Sequence, residues 1–147
     1  MENEIRQHTI SVLVENKFGA LARIAGLFSG RGYNIESLTV NHTHDPNLSR
    51  MTIVTKGDDD VMEQIEKQLR KLVDVVDVAD LNSSDYLELE LAIIKVRTTA
   101  LTRVAIVQLV ELFHGNIPNV NKDELCIVIS GSPRTIEHFL TLISDFK

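Results

Sequence analysis

Apolar side chains alternate with polar ones through 8–14, which predicts a strand with one buried face. Gly19, within a polar stretch, interrupts this pattern. From Ala20 to Phe28 the apolar positions recur every three or four residues, as on an amphipathic helix, and the Gly-Arg-Gly run at 30–32 ends it. The beginning of the chain therefore predicts a strand, a tight loop and a helix.

Two further alternating runs, 38–42 and 51–55, flank a polar turn and predict a β-hairpin. The aspartates at 58–60 suit a helix N-terminus, and the helix that follows has an apolar stripe through Met62, Ile65, Leu69 and Leu72. The alternating run 73–78 predicts a closing strand. The resulting order, βαββαβ, is a split βαβ arrangement of ferredoxin-like type with helices on one face of an antiparallel sheet.

The same order of elements begins again after a short polar linker at 82–85. The sequence predicts a strand with Leu87, Leu89, Leu91 and Ile93, a helix over 101–113, strands at 116–120 and 125–130, and a last helix. That last helix starts with Ser132 as N-cap and Pro133 at its first position, and Ile136, Phe139, Leu140 and Ile143 are its predicted buried residues. The predicted fold class is α+β, with two ferredoxin-like units in tandem, 1–81 and 82–147, the second lacking its last strand.

Composition narrows the classes of function. Hydrophobic residues make up 44% of the 147 residues, which is enough for packed cores, and with no tryptophan these cores are built from Val, Ile and Leu. The net charge of −6 argues against a nucleic-acid partner, because phosphate binding needs a basic surface. Cys126 is the only cysteine in the sequence and lies in an apolar run, so metal sites formed by several thiolates are excluded. No apolar segment is long enough to span a membrane and no signal-peptide pattern is present, so a soluble, intracellular protein is expected.

The chain contains none of the common catalytic motifs. There is no Gly-x-Ser-x-Gly elbow, phosphate-binding loop, dinucleotide fingerprint, zinc-ligand spacing or thiamine diphosphate motif. His42 and His44 lie two apart on a strand and could face one metal, but their place beside a turn favours exposure to solvent. The aspartates at 58–60 are likewise better explained by a helix N-terminus than by a cation site. The sequence therefore predicts neither catalytic residues nor a metal site.

The first strand-to-helix junction is the best candidate for ligand binding. Gly19, without a Cβ, would let an anion approach the free N–H groups at the start of the helix. Asn16 supplies an amide that can both donate and accept hydrogen bonds. Such a loop suits a free α-amino acid, which presents a carboxylate and an ammonium group together. The alternative is that Gly19 is only a turn residue and Asn16 caps the helix.

Two runs in the first half, VLVENKFGALAR at 12–23 and GLFSGRGYNIESLTV at 26–40, closely resemble the small-subunit family of acetolactate synthase. The runs at 48–53 and 64–75 continue the similarity, which extends over residues 8 to 80, and the RGYNIESL segment distinguishes this family from other ACT domains. Beyond Ser83 the resemblance is weaker, although 93–96 and 112–115 still look like the family's second domain.

The resemblance implies an N-terminal ACT domain that forms a homodimer and binds valine, or a related branched-chain amino acid, between the two protomers. It assigns effector-binding residues on both sides of that interface. From the strand-to-helix loop of one protomer these are Asn16, Gly19, Ala20 and Leu21, and from the other protomer Asn34 and Ile35. Lys17 and Phe18 occupy variable positions of the family pattern and are weaker candidates.

The resemblance also implies a function, that of a non-catalytic regulatory subunit. Such a subunit activates the large catalytic subunit of acetolactate synthase in branched-chain amino acid biosynthesis and makes it sensitive to valine. Thiamine diphosphate, magnesium and FAD are then expected only in the catalytic subunit, with no cofactor in this chain. The expected compartment is the cytoplasm, or a plastid stroma if the gene is organelle-encoded.

Other functions remain open alternatives to this one. A free-standing ACT-type sensor could serve another enzyme or a transporter. An RNA-binding βαββαβ module is disfavoured because strands 8–14 and 48–56 contain no aromatic residue for base stacking. A small enzyme of this fold would need a nucleophile and a base that the sequence does not bring together. The apolar helix over 101–113 needs cover, either from its own sheet and the first domain or from the catalytic subunit.

Overall fold

The computed structural model describes residues 4–146 and divides them into two compact units, the first ending at Tyr86 and the second beginning at Leu87. The first unit has the predicted order. Its elements are β1 (Arg6–Glu15), α1 (Ala20–Gly30), β2 (Ile35–His42), β3 (Leu48–Gly57), α2 (Asp59–Arg70), β4 (Val75–Asp80) and a 3₁₀ turn (Leu81–Ser83). No helix in residues 4–146 is long and apolar enough to cross a membrane.

The sheet of the first unit has the strand order β2-β3-β1-β4, and all its neighbouring strands are antiparallel. Side chains alternate along each strand, so one face of the sheet meets both helices. The buried residues on that face and on the helices include Ile10, Val12, Val14, Ile24, Phe28, Met51, Ile53, Met62, Ile65, Leu69 and Val78. β2 and β4 are the two edges of this sheet.

Two predictions about α2 and β4 have different outcomes. The cap of α2 is confirmed, because the Asp58 carboxylate accepts a hydrogen bond from the Val61 backbone N–H at 2.8 Å. The prediction that β4 begins at Val73 is wrong. The Val75 N–H bonds the Leu72 carbonyl in a turn, and Val73 is 89% exposed. Asp74, in the same turn, is buried, so the alternating Val-Asp pattern there reflects an ion pair and not a strand.

The second unit is formed by β5 (Glu90–Arg97), α3 (Arg103–Leu112), β6 (Asn116–Val120), β7 (Glu124–Gly131) and α4 (Pro133–Ile143). Its antiparallel sheet has the order β5-β7-β6, which is the first unit's order without the strand equivalent to β4. The predicted βαββα order of this unit is therefore confirmed.

The N-terminus of α4 is capped as predicted, with the Ser132 hydroxyl accepting from the Thr135 N–H at 3.2 Å. Leu140, predicted as buried, is instead 43% exposed. On β5 the side chains that pack against the helices are Ala92, Ile94 and Val96, whereas Leu91 and Ile93 lie on the open face of the sheet. Cys126, directly opposite Lys95, is half-buried.

Candidate functional site

Gly19 is the N-cap residue of α1 and has φ 82° and ψ −3°, a left-handed conformation. A residue with a Cβ would lose about 1–2 kcal/mol there, whereas glycine adopts the conformation without steric cost. Glycine has no side chain that could cap a helix, and within residues 4–146 no side-chain hydrogen bond caps this helix at its N-cap position. Since the first N–H groups of an α-helix have no intrahelical partner, this end of α1 suits a carboxylate.

Asn16 is attached to the β2–β3 hairpin and does not cap α1, so the capping alternative is wrong. Its Nδ2 donates to the Pro46 carbonyl at 3.0 Å, and its backbone N–H donates to the Asn47 carbonyl at 2.7 Å. Within the described part of the chain no donor bonds its side-chain oxygen. That oxygen is an acceptor suited to an ammonium group.

Arg23, which the sequence reasoning missed, lies directly beside Gly19. A Cβ placed on Gly19 would be 3.0 Å from Arg23 Nη1. Arg23 Nε donates to Asp74 Oδ2 at 2.6 Å, and Nη2 contacts the same carboxylate and the Phe18 carbonyl, the latter at 3.4 Å. Its position in the sequence could have indicated a role, because a cation in the first turns of a helix is disfavoured by the helix dipole. An arginine there is expected to have a specific partner.

The other residues of this loop differ in exposure. Ala20 is buried, and Leu21 is 44% exposed and so presents an apolar surface beside the helix N-terminus. Phe18 is fully exposed. Lys17 forms an ion pair with Glu15, and the hydrogen bond to this carboxylate, reinforced by its charge, raises the pKa of the Lys17 ammonium above its ordinary value. Lys17 is therefore already committed to Glu15.

Asn34 and Ile35 lie together at the start of β2. Asn34 Nδ2 donates to Glu36 Oε1 at 2.9 Å, and its carbonyl accepts from Thr55 Oγ1 at 2.6 Å. Ile35 pairs with Thr55 on β3 and packs, half-buried, against the core. The backbone here is therefore held firmly by β3, while the Asn34 amide is at the surface.

Within one chain, the structure does not bring together the two predicted halves of the effector site, the loop at 16–21 and the segment at 34–35. Glu15, just before Asn16, pairs with Leu48 at the start of β3, whereas Ile35 pairs with Thr55 near its end. Seven residues of strand at about 3.3 Å each separate these positions by about 23 Å. One chain therefore carries two separate half-sites, at opposite ends of the same sheet.

The corresponding junction of the second unit is closed by its own side chains. The Thr99 N–H donates to Thr102 Oγ1 at 3.0 Å, and the Thr102 N–H donates to Thr99 Oγ1 at 3.3 Å. Arg103 Nη2 donates to the Asn121 carbonyl at 2.8 Å. In place of a left-handed glycine this loop has threonines that bond its backbone, so the first unit has the better ligand site.

Among the described residues, no group of three or more His, Cys, Asp or Glu side chains is arranged to hold a metal ion. His42, the last residue of β2, and His44, which lies in the turn after it and not on the predicted strand, are both exposed. The polar groups of the first half-site are the N-terminus of α1, Arg23 and the Asn16 amide, and that of the second is the Asn34 amide.

Comparisons with known proteins cover both units. The family described as "AHAS small subunit-like ACT domain" matches residues 10–77, and the family described as "Small subunit of acetolactate synthase" matches residues 89–147. Two curated relatives are a probable acetolactate synthase small subunit of Methanothermobacter thermautotrophicus and the acetolactate synthase isozyme 3 small subunit of Escherichia coli. The first is 44% identical over 99% of this chain and 88% of the relative, and the second 47% identical over 92% and 83%.

Among solved structures, the acetolactate synthase small subunit from Thermotoga maritima superimposes with a TM-score of 0.85. It is 44% identical, and the match covers 93% of this chain and 86% of that one. The fold, the order of the two units and the sequence identity agree with one another. The chain belongs to the acetolactate synthase small-subunit family.

Proposed function

We propose that this chain is a non-catalytic regulatory subunit that binds a separate acetolactate synthase catalytic subunit and controls it in response to a branched-chain amino acid. The observation that carries the proposal is the uncapped, left-handed glycine start of α1, beside Arg23, in a chain of this family. In this proposal thiamine diphosphate, magnesium and FAD are bound by the catalytic subunit.

The proposed effector is valine or a related amino acid. Its carboxylate would accept hydrogen bonds from the Gly19 and Leu21 N–H groups at the start of α1, because the Ala20 N–H already donates to the Lys17 carbonyl at 3.3 Å. Its ammonium would donate to the Asn16 side-chain oxygen and to the Asn34 amide of a second protomer. The exposed part of Leu21, with Ile35 of the second protomer, supplies the apolar wall for the branched side chain.

A homodimer would unite the two half-sites. β1 and β2 are both antiparallel to β3 and therefore parallel to each other, and β2 is a free edge strand. If two copies pair β2 with β2 about a two-fold axis perpendicular to the sheet, the Asn16 end of one meets the Asn34 end of the other. Leu38 and Val40, each 38% exposed on β2, would be covered by the same pairing.

Regulation then follows from linkage. Valine contacts both protomers, so its binding favours one arrangement of the dimer over others. The catalytic subunit must bind those arrangements with different free energies for its activity to change. A coupling of about 1–3 kcal/mol would change the apparent affinity about 5- to 150-fold.

The direct test is reconstitution of a purified acetolactate synthase catalytic subunit with and without this chain, followed by titration with valine. We expect no activity from this chain alone, higher activity of the catalytic subunit in its presence, and inhibition by valine only in the mixture. If this chain binds valine but does not bind the catalytic subunit, a free-standing ACT-type sensor becomes the better description. Turnover by the isolated chain would contradict a non-catalytic role.

A further inference from the structure

A groove of about 620 Å³ runs between α1 and α2 on the outer surface of the first unit. Two glycines of α1, Gly26 and Gly30, form one side of it, and Gln68 of α2 lies on the other. Leu27 and Leu72 line it as well, and both are half-buried against the core. The groove is therefore a shallow surface with an apolar base, on the side of the helices that faces away from the sheet.

Gly26 and Gly30 are not required by a left-handed backbone or by close packing. Neither has a positive φ, and a Cβ on either would meet no described atom within 4 Å beyond its chain neighbours and the backbone of its own helix. Glycine inside a helix weakens it relative to alanine, so the fold alone does not favour glycine at position 26, whereas Gly30 is the last residue of α1 and belongs to the run that ends the helix. Since residues four apart lie on the same face of a helix, Gly26 and Gly30 together leave a strip of exposed backbone that another chain can approach closely.

The groove is positively charged although the chain carries a net charge of −6. Arg23, Arg31 and Lys71 line it, and none of the described residues contributes a carboxylate to its lining. Arg23 is paired with Asp74, whereas Arg31 and Lys71 are exposed and, within residues 4–146, form no ion pair. The two unpaired cations and the open glycine strip belong to one groove. Because of the cations, a complementary partner carries negative charge, and because of the glycines, it can approach the backbone of α1 closely.

We propose that this groove docks an acidic helical segment of the catalytic subunit, with carboxylates on Arg31 and Lys71 and small or apolar side chains over Gly26 and Gly30. The proposal rests on the proposed function, because that function supplies the partner. A nucleic acid fits less well, since the surrounding chain is acidic and would repel a polyanion longer than the groove.

Docking here would also give the effector site a direct connection to the partner. Arg23 lines the groove at one end and contacts the Phe18 carbonyl beside Gly19. A segment in the groove and an amino acid at the start of α1 would therefore both depend on the position of this side chain. Arg23 is therefore a contact common to both sites, through which the two binding events would be coupled.

Two variants test the groove in the full chain mixed with a purified catalytic subunit. The double variant Arg31→Glu/Lys71→Glu reverses its charge, and Gly26→Leu fills it while improving the helix propensity of α1. Arg134→Glu, at an exposed position of α4, is the control for charge, and Ser29→Leu, exposed on α1 outside the groove, is the control for added volume. The readouts are affinity for the catalytic subunit, thermal unfolding and valine binding.

We expect both groove variants to weaken the complex by about tenfold or more, with valine binding unchanged and Gly26→Leu at least as stable as wild type. Both controls should stay within about twofold of wild type. Raising the salt concentration should weaken the wild-type complex more than that of the double variant. If the wild-type chain binds the catalytic subunit and both groove variants bind equally well, the groove assignment is overturned and the proposed function stands. If wild type does not bind, the proposed function itself fails.

Cross-linking identifies the chemistry of the occupant. A carbodiimide that joins amines to neighbouring carboxylates should link Lys71 to an Asp or Glu of the catalytic subunit, and Lys71→Arg should abolish that link while the complex persists. Links formed only through other lysines would contradict the proposal. Saturable micromolar binding of inorganic phosphate or ATP to the chain alone, lost in the double variant, would show that the groove is a small-anion site and not a docking surface.

Discussion

Arg23 donates its Nε–H to Asp74 Oδ2 at 2.6 Å, and this pair joins the start of α1 to the turn before β4. The Asp74 side chain is 8% exposed and that of Arg23 47%. The Asp74 carbonyl also accepts the Glu15 N–H at 2.8 Å, so the turn holds both ends of the β1–α1 loop. The pair is therefore a structural support of the candidate effector site.

Replacing Arg23 with glutamine leaves the Asp74 carboxylate buried without its cation. Removing one partner of a fully buried pair costs about 3–5 kcal/mol, and because Arg23 is half exposed we expect about 1–3 kcal/mol here. Urea denaturation measures this loss. Asp74→Asn in addition should restore part of the stability, and Arg70→Gln, at an exposed ion pair, is the control. A loss no larger than that of Arg70→Gln would show that the pair contributes little.

Gly19→Asp places a carboxylate where the effector's carboxylate is proposed to bind. Because the left-handed backbone disfavours a Cβ, we expect the protein to fold with a loss of about 1–2 kcal/mol. Arg23 Nη1 would lie 3.0 Å from the new Cβ, so the guanidinium must shift by a few tenths of an ångström before it pairs with the new carboxylate. Valine inhibition should disappear while activation of the catalytic subunit persists.

Gly32→Asp is the matched control for that experiment. Gly32 also has a positive φ, of 73°, and is not a proposed site residue, although it precedes Asn34 by two positions; an added Cβ would meet no described atom within 4 Å beyond its chain neighbours. It should lose similar stability and keep valine binding, as measured by calorimetry. If Gly19→Asp folds, dimerises and binds valine with wild-type affinity, the effector site is elsewhere.

Much of the fold could be predicted because local patterns agree with the final structure. The alternating strands, the Asp58 cap and the Ser132-Pro133 helix start are all encoded within a few residues. The start of β4 could not be predicted in this way, because Asp74 is buried by a partner from α1. In the sequence, a polar residue that is buried by an ion pair cannot be distinguished from a polar residue on the exposed face of a strand.

The candidate site shows the same division. Gly19 could be found from sequence, since a glycine at a strand-to-helix junction has a local meaning. Arg23 supports the loop through its ion pair with Asp74, which is distant in sequence. The cationic groove likewise combines Arg31, just after α1, with Lys71, just after α2. The opposite placement of Asn16 and Asn34 depends on strand order. Contacts of this kind become visible only once the chain has folded.

Asn16→Ala and Asn34→Ala should each weaken valine binding without abolishing it. Each removes one or two hydrogen bonds to the effector, worth roughly 0.5–3 kcal/mol in total. Calorimetry measures the loss, and Asn121→Ala, at an exposed position of the second unit, is the control. Wild-type valine affinity in both variants would show that neither amide contacts the effector.

Val40→Asp should separate the homodimer if β2 forms its interface. A charge on this edge strand would lie in the proposed pairing and oppose it. Val76→Asp is the matched control, because Val76 is 54% exposed on β4, the other edge of the same sheet. Sedimentation at micromolar concentration should show monomers for the first variant and dimers for the second. The opposite result would place the interface on β4.

The shared site can be tested by mixing two defective chains. One chain carries Gly19→Asp and the other Asn34→Ala, and two different affinity tags allow the heterodimer to be purified. Each proposed site takes its loop from one protomer and its Asn34 from the other. In the heterodimer one site therefore receives both changes, and the other receives none.

We expect the heterodimer to bind valine with wild-type affinity at half the wild-type stoichiometry, as measured by calorimetry. The Gly19→Asp homodimer should not bind, and the Asn34→Ala homodimer should bind only weakly, because each of their sites carries one change. A site formed within a single chain predicts a different result, since every chain in the heterodimer is then defective. Absence of a wild-type affinity site from a stable heterodimer would therefore rule out sharing between protomers, whatever the oligomeric state.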